Sequence, residues 1–168
     1  RLFRNPRTEA VAAKAWNLSG HCGVLGIFHT NDEETAIKDY FTVGDIPYME
    51  GDKFLLYNWK NKMAVICAKN DRQDLQLKPY EAELYLAAPF HNGIAVLGNI
   101  DKYIAPACIE SQITEEGVVN IILSEGGLFA FAAESETEVY VNGHKVDTLD
   151  AEIYKIVDCR GSKKTLIQ

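Results

Sequence analysis

The sequence predicts an all-β protein, a two-layer antiparallel β-sandwich of Greek-key-like connectivity with an N-terminal lead-in segment, and three observations carry that expectation. Apolar runs of four to eight residues recur between turn residues along most of the chain. No long stretch keeps the i, i+3, i+4, i+7 spacing of an amphipathic helix. The segment Val139-Tyr140-Val141-Asn142-Gly143-His144-Lys145-Val146 places Asn-Gly, the pair suited to the two positive φ angles of a type I′ turn, between alternating strands.

In chain order, residues 1–19 read as the lead-in and residues 20–168 as one sandwich domain. Glu9 to Ala15 has high helix propensity, a weak preference that packing can override. Strands are expected over 23–29, 53–59, 63–69, 83–88, 93–99 and 117–123, then over 127–133, 137–141, 145–149, 152–158 and 164–168. Asn31-Asp32-Glu33-Glu34 has the pattern of a short helical turn, Asn31 capping and Glu34 reaching back, before Phe41-Thr42-Val43 returns to strand-like residues. In 128–133, Phe129, Phe131 and Ala133 share one face and Leu128, Ala130 and Ala132 the other, so both faces suit burial in a central strand. No repeat, low-complexity tract or Pro/Gly-rich linker divides the chain after about residue 20.

The 168 residues are 47% hydrophobic and 24% charged, the balance of one ordinary folded domain. A (β/α)8 barrel usually needs roughly 250 residues, which argues against that scaffold. A net charge of −7 disfavours nucleic acid as a partner. No apolar run approaches the ~20 residues of a membrane span, so a soluble, non-transmembrane chain of undetermined compartment is expected. The start at Arg1-Leu2-Phe3-Arg4 reads as excised from something longer. Cys22, Cys67, Cys108 and Cys159 are widely spread without a C-x-x-C pair and are expected as buried thiols.

Signatures of chemistry are sparse. His21 and Cys22 are adjacent, so on an extended strand they point to opposite faces and make a poor nucleophile and base. His21, His29, His91 and His144 have no zinc spacing, and neither a P-loop nor a nucleophile elbow is present. Neither metal nor organic cofactor is expected. Asp32-Glu33-Glu34 lacks the alternation of a calcium loop. Two aromatic sites have the character of a sugar platform, on which a ring packs against a pyranose while polar groups bind hydroxyls. One is Trp59 with Asn58 and Asn61; the other is Tyr48 with Glu50 and Asp52. Core and hairpin packing accounts for the same residues.

The stretch Lys14-Ala15-Trp16-Asn17-Leu18-Ser19-Gly20-His21-Cys22-Gly23-Val24-Leu25-Gly26-Ile27-Phe28-His29 resembles the segment with which raffinose synthases, seed imbibition proteins and related α-galactosidases leave their catalytic barrel. These form glycoside hydrolase family 36 in its broad sense. Leu2-Phe3-Arg4-Asn5-Pro6 is similar to the family segment just before that strand. Downstream, 64–68, 75–84 and 125–135 match further family strands in the same order, so the likeness spans nearly the whole chain. Ser19 stands where the family usually has Asn. The resemblance implies a C-terminal accessory domain that supports the barrel of the same parent protein, with Leu2, Phe3, Trp16 and Asn17 at the barrel interface. The parent would be a retaining enzyme acting on α-galactosides through two carboxylates of the barrel. Neither carboxylate has a counterpart here, so no catalytic residue is carried over. The alternative is a carbohydrate-binding module holding galactosides through Trp59, Tyr48 and Asn58; a stand-alone enzyme is a third reading.

Overall fold

The computed structural model describes residues 4–33, 35–161 and 165–167, and it is all-β, with every strand pairing antiparallel. Strands β1 (Ala13–Ser19), β2 (Cys22–Phe28), β4 (Lys53–Asn58), β5 (Ala64–Ala68) and β7 (Ala82–Pro89) form a five-stranded sheet in the order β1-β2-β7-β4-β5. Strands β3 (Ile37–Phe41) and β6 (Gln73–Leu77) make a two-stranded ribbon. A four-stranded sheet in the order β14-β15-β11-β8 is built from β8 (Ile94–Asn99), β11 (Leu128–Ala133), β14 (Leu149–Ala151) and β15 (Tyr154–Asp158). The last sheet, β13-β12-β16-β10-β9, combines β9 (Ile109–Glu115), β10 (Val118–Leu123), β12 (Val139–Val141), β13 (His144–Val146) and β16 (Thr165–Ile167).

At the centre the five- and four-stranded sheets pack face to face as the antiparallel sandwich expected from the sequence. A further layer covers the outer face of each, so three apolar cores lie between four layers. In the first, Leu25, Ile27, Phe54 and Leu56 meet Ile37, Phe41 and Leu77 of the ribbon. In the middle core, Val24, Leu55, Tyr57 and Leu86 meet Ala95, Leu97, Ala130 and Ala132. In the third, Val96, Phe129, Phe131 and Val157 meet Ile121, Leu123 and Ile167. Because side chains alternate along a strand, β2, β4, β8 and β11 feed the core on each side of them. Covered on both faces, these antiparallel strands read as unbroken apolar runs, a pattern more usual for parallel sheets. Each fully buried Leu, Ile or Phe contributes ~1.5–3 kcal/mol.

The Asn-Gly hairpin forms as expected, with φ of 51° at Asn142 and 81° at Gly143 between β12 and β13. All four cysteines are buried free thiols. The segment read as a lead-in ends in β1, paired residue by residue with β2 from Ala13↔Phe28 to Ser19↔Cys22, so the helix-favouring 9–15 stretch becomes a strand from Ala13 onward. Residues 4–12 are anchored as well: Ala12 donates its N–H to Asp39 at 2.9 Å and Asn31 donates to the Glu9 carbonyl at 2.9 Å. Asn31 accepts the N–H of Glu33 at 2.7 Å in a local turn rather than capping a helix, and Glu34 lies outside the described residues. No helix among the described residues is long and apolar enough to cross a membrane.

Candidate functional site

Strand β1 forms one edge of the five-stranded sheet. Its even-numbered residues face the first core: Leu18 packs against it, and Lys14 donates to Asp45 at 2.8 Å and to the Tyr40 carbonyl at 2.7 Å. Trp16, between them, is 45% exposed. Its ring meets Tyr48 at 6.2 Å between centroids and 61° between planes. Asn17 is exposed, and its Oδ1 accepts the N–H of Leu18 at 2.9 Å. Phe28, opposite Ala13, is also exposed, and its ring lies over Gly26. Leu2 and Phe3 fall outside the described residues.

The structure divides the residues suited to sugar binding between two places. Trp59 follows the end of β4, stacks on Tyr103 at 4.3 Å and carries the Lys62 ammonium 3.8 Å from its ring centre. Its indole N–H donates to the Lys102 carbonyl at 2.9 Å. Asn58 is buried: its side-chain amide donates to Glu83, and its Oδ1 accepts the N–H of Lys60 at 2.9 Å. This end of β4 is a packed turn, with its polar groups committed internally. Tyr48 belongs with the opposite end of the strand, where Lys53 accepts the N–H of Phe90 at 3.0 Å and the chain turns through His91.

There the β1–β2 turn carrying His21 meets the β7–β8 turn carrying His91. The two imidazoles stand edge to face at 5.7 Å. His21, His91, Tyr48 and Glu50 line one hollow of about 140 Å3. A second hollow of about 270 Å3 shares both imidazoles and reaches Glu110, Ser111 and Gln112. No sequence spacing announces this pair, because distant turns bring the two histidines together.

Cys22 opens β2 and is buried in the middle core, while His21 sits in the exposed turn before it. Its thiol donates to the Val96 carbonyl at 3.1 Å, and burial with Cys108 nearby pushes it up to about 12. A thiol so disposed stays protonated and is no nucleophile. Among the described residues no three His, Cys, Asp or Glu side chains gather as metal ligands. No family model matches the chain, and no curated protein matches it.

Proposed function

We propose that this chain is the C-terminal accessory domain of an α-galactosidase or raffinose-synthase-like glycoside hydrolase, non-catalytic in itself and buttressing the barrel of the same parent protein. The observation that carries the reading is the β1 edge. The resemblance sets the passage from barrel to sandwich at Trp16, and Trp16, 45% exposed, lies on a strand that is an edge among the described residues, while the sheet behind it is covered on both faces. An exposed aromatic on a strand edge unpaired among the described residues suits a permanent partner, which would take up both the ring and the edge backbone. The bonds of residues 4–12 to Asp39 and Asn31 fix how the chain enters β1. The family resemblance supplies the identity of the partner.

Two measurements test the reading together. Reading the coding sequence upstream of Arg1 should reveal a (β/α)8 barrel with two catalytic carboxylates; a different upstream domain, or an initiator Met at that point, overturns the assignment. The 168-residue chain should release no aryl leaving group from an aryl α-galactoside. Turnover that disappears on replacing one of its own Asp or Glu residues would make it an enzyme instead.

A further inference from the structure

The two hollows at the β1–β2 turn adjoin at the end of the sandwich as a two-part groove, with Gly20, His21, Pro89 and His91 lining both. Its polar side chains are not part of the core: His21, His91, Tyr48, Glu50 and Glu110 are all exposed. Tyr48 is 83% exposed and follows Pro47 at a φ of 65°. After a proline, the residue of positive φ in a type II turn is ordinarily glycine. Tyr80, after Pro79, repeats the turn with the same exposure but lines neither hollow, so it is company rather than conformation that marks Tyr48. Its ring stands against Trp16, and it lines the smaller hollow together with the imidazole pair.

We infer that this groove binds a neutral saccharide, independently of any docking to a barrel. Glu50 and Glu110 accept hydrogen bonds from hydroxyls, and each imidazole carries at least one N–H donor. Ser111 and Gln112 extend that mixed set along the larger hollow. The Tyr48 ring gives the flat apolar surface on which the C–H face of a pyranose packs. Other ligand classes fit less well. An anion meets two carboxylates on a chain of net charge −7. A metal ion finds no three ligands gathered among the described residues, and an apolar ligand would strip water from the polar lining without replacing its hydrogen bonds. The larger hollow, about 270 Å3, falls just below the ~300–1,000 Å3 of drug-sized sites and suits one sugar ring, with a neighbouring ring lying toward Tyr48.

The test is an NMR titration of the 168-residue chain, following the imidazole signals of His21 and His91 against galactose, raffinose and maltotriose, with sodium sulfate as the anionic comparison. At least one saccharide should move both signals saturably, and sulfate should move neither. Tyr48→Gly removes the ring while relieving the left-handed tyrosine, so the melting temperature should hold or rise as affinity falls at least about tenfold, a change of ~1.4 kcal/mol. Glu50→Gln, a surface change, should weaken binding as well. The inference is overturned if no saccharide shifts the signals up to about 100 mM, far above a millimolar Kd. It is equally overturned if the shifts persist in both variants or if sulfate produces them.

Discussion

Asn142 and Gly143 show how much one dipeptide can determine. A Cβ built on Gly143 would meet nothing within 4 Å, so replacing this residue costs backbone strain alone. Gly143→Val should destabilise the fold by about 1–2 kcal/mol, because a β-branched residue resists positive φ. Urea denaturation should show a lower midpoint with an unchanged slope, and an unmoved midpoint would remove the turn from the account. Asn142 does more than its turn signature announces: its Oδ1 accepts the N–H of Leu166 at 3.0 Å while its own N–H donates to the Leu166 carbonyl at 2.9 Å. The turn therefore also ties β16 into its sheet. That second role was illegible in the sequence, since nothing local to Asn142 points to a partner 24 residues further on. The same holds for His21 and His91, which meet only because two distant turns come together.

Among the elements, those read from the sequence are the ones whose surroundings leave little choice. Strands β2, β4, β8 and β11 are apolar on both faces because a core lies on each, and the split of Phe129 and Phe131 from Ala130 and Ala132 stands as the alternation predicts. The elements missed lie on the outside. Strand β6, Gln-Asp-Leu-Gln-Leu, and β9, Ile-Glu-Ser-Gln-Ile-Thr-Glu, carry polar residues because each is an edge or ribbon strand with one face in water. Strand β1 was hidden by alanines that favour a helix in isolation but take the edge position beside β2. What fixes β1 to the layer above is Lys14, whose side chain and that of Asp45 are only 16% and 10% exposed. Asp45 also accepts the N–H of Thr42 at 3.2 Å, so the pair joins β1 to the 3-10 turn Val43–Asp45. Lys14→Ala should cost about 2 kcal/mol, since it leaves a mostly buried carboxylate and the Tyr40 carbonyl without their ammonium. Thermal unfolding would detect the loss, and a change within about 0.5 kcal/mol would place the pair with ordinary surface ion pairs.

Across the whole molecule, the four layers raise the question of whether the stack opens as a unit. The two central sheets each serve two cores, so lifting either one exposes both. The β3–β6 ribbon serves only the first core, and a two-stranded element has little stability of its own. The first core should therefore open at lower free energy than the other two. The cysteines are placed to report this: Cys67 lies in the first core, Cys22 in the middle one, and Cys108 and Cys159 in the third. Burial suppresses all of them in the folded state, with Cys67 and Cys159 pushed up to about 11 and Cys22 to about 12, so modification at neutral pH reports opening. In native buffer, a thiol-reactive dye should label Cys67 first, with Cys22, Cys108 and Cys159 following together at the slower rate of global unfolding. Single Cys→Ala variants assign the phases. If Cys22 labels as fast as Cys67, the ribbon is no independent lid and the layers rise and fall together.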